Sequence, residues 1–144
     1  MLREEIAMAI DLFPEYILQN YEVTEWKHAA AILYQDFPAE WKDVVDLLQQ
    51  FQLRKSWILV GGENKSKVSK SIDSFLYQRG WQEKEFDTSV MVDETLMESP
   101  THKVDCYRNG IALEIEWNNK DPFFDRDLNN FRLLFDLRAI SVGI

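Results

Sequence analysis

Three acidic side chains in the second half of the chain have the types and spacing of a site for a hard metal ion. Glu114 and Glu116 are separated by one residue within the apolar run 111–117, and Asp105 precedes them between two apolar neighbours. Side chains alternate across a strand, so Glu114 and Glu116 share one face if this run is extended. Acids flanked by apolar residues cost free energy when they are buried without a cation. The pattern therefore indicates a cation site.

A tight turn is predicted to bring Asp105 alongside the other two acids. The dipeptide Asn109-Gly110 between two apolar runs is the strongest short-range signal for a β-hairpin, and a hairpin closed there places Asp105 near Glu114. Three carboxylates at one place suit Mg²⁺, or Mn²⁺ in its stead, because both ions prefer hard oxygen ligands. On these residues alone, a solvent-facing hairpin with an acidic outer face stays open as the alternative.

The elements that must position these acids are predicted, from Ser66 onward, in the order helix, strand, strand, strand, helix, strand. The predicted strands cover residues 81–92, 102–107, 111–117 and 139–144. Gly80 is expected to end the first helix, and Asp121 to cap the second with Pro122 at its first position. The first helix is expected to bury Val68, Ile72, Phe75 and Leu76. The second is expected to bury Phe124, Leu128, Phe131 and Phe135.

The first half of the chain is predicted to be mainly helical. Leu2 to Phe13 keep helical spacing until Pro14, residues 16–23 are ambiguous, and Thr24 can cap a short helix. From Ala39 onward an amphipathic helix is predicted, with the apolar positions Trp41, Val44, Val45, Leu48 and Phe51. The expected organisation is one α/β domain over residues 1–144, with a helical part at 1–60 and the mixed-sheet core at 61–144.

One apparent nucleotide motif is rejected. A predicted strand at residues 57–60, followed by Gly61-Gly62 and Lys65-Ser66, has the outline of a phosphate-binding loop. That motif needs a glycine directly before the lysine, and Asn64 occupies this position.

Composition and charge narrow the function class further. The chain has 144 residues, of which 46% are hydrophobic and 13% aromatic, so it can build a real core. A single cysteine, no signal peptide and no membrane-length apolar run predict a soluble, cytoplasmic protein. The net charge of −9 weighs against a nucleic-acid partner. Local patches and bound metal ions can nevertheless set the field where a phosphate lies.

A family resemblance decides between the acidic hairpin and the metal site. Asp105 followed by Glu114-Ile115-Glu116 resembles the PD-(D/E)xK nuclease motif, in the variant where an acid replaces the final lysine. The longer run from His102 to Asp105, and then from Glu114 to Asp127, is similar to the BglII family of type II restriction endonucleases. The expected order of elements from Ser66 also matches the restriction-endonuclease-like core.

The resemblance implies Mg²⁺-dependent hydrolysis of double-stranded DNA at a short specific site. It also implies a homodimer and a companion DNA methyltransferase in the host. Asp105 and Glu114 would bind the metal, with the Ile115 carbonyl as a third ligand. Glu116 would take the place of the lysine. Because Glu116 cannot supply positive charge to the phosphate, it would bind a metal or orient the attacking water instead.

Further candidates are weaker. Asp73 and Glu85 are candidates for an additional acid, although each is more often a solvated charge. Possible contacts to DNA phosphates come from Lys65, Lys67, Lys70, Asn118, Lys120 and Arg126. Turn, cap or ion-pair roles compete for several of these residues.

Two other functions remain open beside the endonuclease. A catalytically inactive DNA-binding or assembly module could keep the fold, but such a relative is expected to lose one of the three carboxylates. A nuclease of RNA or single strands would need exposed aromatics for stacking. The apolar strand at residues 139–144 and the acidic balance lead us to expect that the native protein continues beyond residue 144. The amphipathic N-terminal helices are the expected dimer surface.

Overall fold

The computed structural model describes residues 9–59, 67–117 and 121–144. The chain forms two compact units, Met1–Gln52 and Leu53–Ile144, and each is described by itself. Helices and a mixed β-sheet give the α/β class that the sequence predicts. In the described part of the chain, no helix has the length and apolar character to cross a membrane.

The first unit is helical. A 3-10 helix at Ala9–Leu12 is followed by α1 (Glu15–Asn20), α2 (Ala29–Asp36) and α3 (Pro38–Gln50), which begins with a proline at its first turn. Its core side chains are apolar and less than a tenth exposed: Ile17, Ala30, Leu33, Val44 and Leu47. The ring of Phe13 packs on Trp41 with 4.3 Å between centroids. This unit therefore has a small core of its own.

Three details of the first unit differ from expectation. Residues 15–20 are helical, so the ambiguous segment is not extended there. Thr24 does not cap α2, because His28 in the left-handed conformation precedes that helix and the Glu25 Oε2 atom accepts a hydrogen bond from Ala30 N. The buried side of α3 carries Glu40 and Asp43 beside its apolar residues. The predicted positions Leu2 and Ile6 lie outside the described residues.

The second unit alternates helices and strands. Its helices are α4 (Lys55–Ile58), α5 (Lys67–Tyr77) and α6 (Asp121–Asp136). Its strands are β1 (Gln82–Lys84), β2 (Ser89–Val92), β3 (Thr95–Glu98), β4 (Val104–Arg108), β5 (Ile111–Leu113) and β6 (Val142–Gly143). The strand predicted at residues 57–60 is wrong, since Trp57 and Ile58 lie in α4.

Four of these strands form the sheet that carries the acids. The strand order is β1-β4-β5-β6, with β5 and β6 parallel and the other pairs antiparallel. Helix α5 packs against β4, and α6 packs against β6. Four buried apolar residues from the sheet and α6 form one core cluster: Val104, Ala112, Leu134 and Ile140. The strands β4 and β5 therefore lie in the centre of the sheet, between β1 and β6, and α5 packs against β4.

Residues 81–92 do not form the single strand that was predicted. They divide into β1 and β2, and β2 pairs with β3 in a separate hairpin whose turn residues, Asp93 and Glu94, both have positive φ. All eight strand residues of this hairpin are exposed. The structure thus inserts a second strand pair into the predicted order, between the first two strands of the core.

The C-terminal end of α5 agrees with expectation. Gly80, at φ +89°, ends α5, and its N–H donates to the Tyr77 carbonyl at 3.2 Å. Helix α5 buries Val68 and Leu76 as expected, with Asp73 beside them.

The predicted apolar face of α6 is confirmed at Phe131, which is partly buried and packs against the core cluster, and is wrong at its other three positions. Phe124 is 46% exposed, Leu128 64% and Phe135 52%, whereas Asp127, Asn130 and Leu134 are buried. A pair of hydrogen bonds selects this rotation: Asn130 Nδ2 donates to the His102 carbonyl at 3.1 Å, and His102 N donates to Asn130 Oδ1 at 3.2 Å. The polar contacts of Asn130 thus outweigh the burial of a phenylalanine stripe.

Candidate active site

The β4–β5 hairpin sets the position of the first two acids. Asn109 and Gly110 have φ values of 49° and 87°, as a two-residue hairpin turn requires. The register pairs Arg108 with Ile111 and Cys106 with Leu113. Continuing that register one step places Asp105 opposite Glu114, which is the juxtaposition that the sequence predicts.

The carboxylates of Asp105 and Glu114 each accept a hydrogen bond from a backbone amide on the opposite side of the hairpin. Asp105 N donates to Glu114 Oε2 at 3.3 Å, and Ile115 N donates to Asp105 Oδ2 at 3.0 Å. The Tyr77 hydroxyl of α5 donates to the Asp105 carbonyl at 3.0 Å. Both carboxylates are therefore held in place by the hairpin itself, while α5 fixes the backbone beneath Asp105.

Strand β5 is shorter than predicted and ends at Leu113. Glu114 is still tied to the sheet, because its N–H donates to the Ile144 carbonyl at 2.9 Å beside β6. Ile115 and Glu116 follow the strand in irregular backbone. Glu114 and Glu116 thus both lie beyond the end of β5, and the shared face expected for them stays a prediction.

Burial and neighbouring charge make Glu114 an unusual acid. Desolvation raises the pKa of the Glu114 carboxyl from 4.5 to about 9, and the Asp105 carboxylate contributes next, followed by Asp127. The hydrogen bond from the Asp105 backbone acts in the opposite direction. At neutral pH and without a cation, Glu114 is therefore protonated. A strongly perturbed acid beside other acids is typical of functional sites.

Helix α6 places two further charged side chains, Arg126 and Asp127, beside Glu116. The Arg126 Nη2 atom lies 3.5 Å from Glu116 Oε1 and 3.2 Å from Asp127 Oδ1. The Glu116 and Asp127 side chains are only 11% and 8% exposed. We refer to Asp105, Glu114, Glu116 and Asp127 as the acid cluster. Arg126, predicted as a possible phosphate contact, is paired with two of its members, Glu116 and Asp127.

Sequence reasoning missed Asp127. The predicted buried face of α6 is centred on its phenylalanines and places Asp127 only at its edge. The signal that could have found it is the spacing i, i+3, i+7 of Asp127, Asn130 and Leu134, which defines the buried side. Two polar residues on that side are a reason to look for partners, because buried polar groups are nearly always hydrogen-bonded.

The two other candidate acids have different surroundings. Asp73 is buried on α5 and accepts a hydrogen bond from the Cys106 thiol at 3.5 Å. Glu85 is exposed in the segment after β1. Asp73 therefore lies against β4 at Cys106, the residue that follows Asp105. Glu85 faces solvent.

The predicted phosphate contacts are only partly described. Lys67 and Lys70 are exposed on α5. Lys65, Asn118 and Lys120 lie outside the described residues, as does the whole glycine-containing segment 61–66.

The three predicted carboxylates do not converge on one point. Within residues 9–59, 67–117 and 121–144, no group of three or more Asp, Glu, His or Cys side chains is arranged to hold a metal ion. Oxygens of Asp105 and Glu114 accept hydrogen bonds from amide N–H groups, and Glu116 lies beside Arg126. The donor set is nevertheless entirely hard oxygen and carries surplus negative charge, which is the chemistry that suits Mg²⁺.

Comparison with known proteins matches the chain to a family of nucleases. The family model described as Restriction endonuclease BglII/BglIII matches residues 21–144, which include every acid of this cluster. No curated protein and no solved structure gives a significant match.

Proposed function

Since the chain belongs to the BglII/BglIII family of restriction endonucleases, which are site-specific deoxyribonucleases, we propose that it hydrolyses double-stranded DNA at a short specific site with Mg²⁺. The observation that carries the proposal is the reciprocal fixing of Asp105 and Glu114 across the hairpin. In the reaction, water adds to a backbone phosphorus and one P–O bond breaks. A companion DNA methyltransferase would protect the host's own sites.

Asp105 and Glu114 are the proposed metal-binding residues, with the Ile115 carbonyl as a further oxygen. Bound Mg²⁺, or Mn²⁺ in its place, would supply Lewis-acid charge to the phosphate oxygens. The raised pKa of Glu114 supports this role. Burial and the neighbouring acids disfavour the charged carboxylate, and a bound divalent cation would counteract both effects. Cation binding would therefore release the Glu114 proton.

Glu116 and Arg126 are proposed to act on water and phosphate. Glu116 occupies the position of the lysine in the usual motif and would orient the attacking water as a hydrogen-bond acceptor. This variant of the motif lacks the positive charge of the lysine. The Arg126 guanidinium supplies a positive charge 3.5 Å from Glu116 Oε1, and the Arg126 side chain is 39% exposed. A guanidinium suits bidentate phosphate binding. Lys65, Lys67, Lys70, Asn118 and Lys120 remain candidates for the outer phosphates.

A homodimer would provide one active centre for each DNA strand. Exposed apolar residues occur on the N-terminal unit, where the sequence placed the interface, and on α6, where Phe124, Leu128 and Phe135 form one stripe. The α6 stripe supports a second copy of the chain as the partner, because contiguous exposed apolar surface marks protein contacts. Its position next to Arg126 and Asp127 would couple dimerisation to the active centre.

The test is incubation of the purified protein with long duplex DNA and Mg²⁺, followed by sequencing of the ends. We expect one short sequence to recur at every cut. Asp105→Asn and Glu114→Gln should each lower the cleavage rate by about 100-fold or more, because each removes a metal charge. Glu98→Gln, on the exposed β2–β3 hairpin, is the matched control and should cleave at the wild-type rate.

The same assay addresses the inactive DNA-binding module, which the lack of convergence of the three carboxylates favours. Binding of duplex DNA without any cut in Mg²⁺ or Mn²⁺ would support that module. Wild-type cleavage by Asp105→Asn or Glu114→Gln would contradict the active-site assignment, and scattered cuts without a shared sequence would contradict site specificity.

A further inference from the structure

The β2–β3 hairpin presents apolar side chains on both of its faces. Residues directly opposite each other on paired strands share a face. The register therefore places three apolar residues on one face and two on the other: Val90, Val92 and Met97, and then Met91 and Leu96. All five are exposed. Because a two-stranded hairpin is only marginally stable by itself and contiguous apolar surface marks protein contacts, this hairpin has the character of a docking element.

The charge of the hairpin favours a protein partner over DNA. Residues 86–101 carry four acids and neither lysine nor arginine: Asp87, Asp93, Glu94 and Glu98. Such a segment repels phosphate, which is bound by cationic side chains. The turn acids, Asp93 and Glu94, make no ion pair with any residue that the structure describes. The surface that fits this hairpin is therefore apolar and carries a basic side chain.

The α6 stripe has these complementary properties. Its outer residues, Phe124 and Phe135, lie about 17 Å apart along the helix axis, and the four-residue strands of the hairpin span about 13 Å. Arg132 lies one turn beyond Leu128 on the same side of the helix and is exposed. Within the described part of the chain, Arg132 makes no ion pair. Length, apolar character and charge thus match those of the hairpin.

The areas of the two surfaces reach what a stable dimer needs. The hairpin face with Val90, Val92 and Met97 carries no charged side chain, because Glu98 pairs with Ser89 on the opposite face. Its three apolar residues and the three of the α6 stripe are on average half exposed, which amounts to about 600 Å² of apolar surface per copy. Two copies would bury about 1,200 Å², the lower end of the range for specific interfaces.

We propose that the β2–β3 hairpin of one copy docks on the α6 stripe of a second copy, with the uncharged hairpin face on the stripe and the turn acids at Arg132. Neither surface is covered within its own chain, so each copy offers both halves of the contact to a partner. In a twofold dimer the contact then occurs twice. This inference rests on the homodimer of the proposed function, and it names the surface that meets the α6 stripe.

The first test measures the dimer dissociation constant of the full chain by sedimentation velocity, in EDTA and without DNA. Met97→Glu should raise this constant about 30-fold or more, because it places a charge in the centre of the apolar contact. Met91→Glu is the matched control, since it makes the same change at an exposed methionine on the opposite hairpin face. Its dissociation constant should stay within about threefold of the wild-type value.

Charge reversal tests which surface the hairpin meets. Arg132→Glu and Glu94→Lys should each weaken the dimer about tenfold, because each sets like charges against one another. The double variant restores an opposite pair and should return to within about threefold of the wild type. A double variant no stronger than the weaker single variant would overturn the α6 stripe as the docking surface. All these positions are exposed, so each variant should keep the circular dichroism spectrum of the wild type.

The remaining outcomes separate this inference from the proposed function. A dimer that Met97→Glu leaves intact, or that Met91→Glu dissociates equally well, would overturn the inference alone. A wild-type monomer at the highest soluble concentration would overturn it together with the homodimer. None of these measurements depends on cleavage. A dimer that responds as expected therefore supports the hairpin contact even if the protein cuts no DNA, and the endonuclease proposal is decided separately by the cleavage assay.

Discussion

The protonated carboxyl of Glu114 makes a sharp prediction about stability and pH in the absence of divalent ions. The folded-state pKa of about 9 exceeds the ordinary value of 4.5, so between these limits the folded protein binds a proton that the unfolded chain has lost. The contribution of Glu114 to the free energy of unfolding is therefore highest below pH 4.5 and falls as the pH rises towards 9. Glu114→Gln mimics the protonated form and should lack this decrease.

The size of the effect can be worked out at pH 8. Each pH unit above 4.5 would cost about 1.36 kcal/mol, or about 5 kcal/mol in all, if Glu114 were fully shielded from water. Glu114 is only half-buried, and solvent screening reduces such terms by half or more, which leaves about 2 kcal/mol. We expect Glu114→Gln to match the wild type near pH 4.5 and to exceed it by about this amount at pH 8.

Urea unfolding in EDTA at several pH values measures the difference between the two proteins. Other titrating groups contribute equally to both curves, so the difference isolates Glu114. Glu98→Gln, which removes an exposed acid, should follow the wild type throughout. A constant difference between wild type and Glu114→Gln from pH 5 to pH 9 would refute the reasoning, because it would mean that the folded state does not retain the proton.

Two further predictions concern packing and assembly. In Gly143→Ala the new Cβ would lie 2.5 Å from two ring atoms of Phe131, so the free energy of unfolding should fall by about 1–3 kcal/mol in urea titration; an unchanged value would mean that α6 shifts freely. Leu128→Glu should convert a dimer to a monomer in sedimentation while keeping the wild-type monomer fold, because Leu128 is 64% exposed. A wild-type monomer both free and on cognate DNA would contradict the dimer.

The part of the site built by local pairing could be predicted from the sequence. Asn109-Gly110 specifies a turn with two positive φ values, and such a turn fixes the register of the strands around it. Once that register is known, Asp105 and Glu114 must lie side by side. The end of α5 was predictable for a similar reason, since Gly80 adopts at low cost a conformation that most residues avoid.

The contribution of α6 could not be predicted in the same way. Its phenylalanines gave the stronger apolar signal, but the helix turns Asn130 inward because the His102 backbone offers both a donor and an acceptor. Such a match depends on tertiary geometry, which the spacing of apolar residues does not contain. The β2–β3 hairpin was missed because its turn residues, Asp93 and Glu94, are not the asparagine and glycine that usually mark one.

The bond between Glu114 and the last strand determines when the site forms as the chain folds. The β4–β5 hairpin pairs residues that are close in sequence, and such hairpins close in about 1–10 μs. The Glu114 N–H, however, bonds the Ile144 carbonyl at 2.9 Å, and Asp127 reaches the cluster only when α6 docks. Closing that longer loop costs more entropy and comes later. We expect the β4–β5 hairpin to form before the acids are brought together. Repulsion between the acids then opposes the docking of α6 and does not slow the formation of the hairpin.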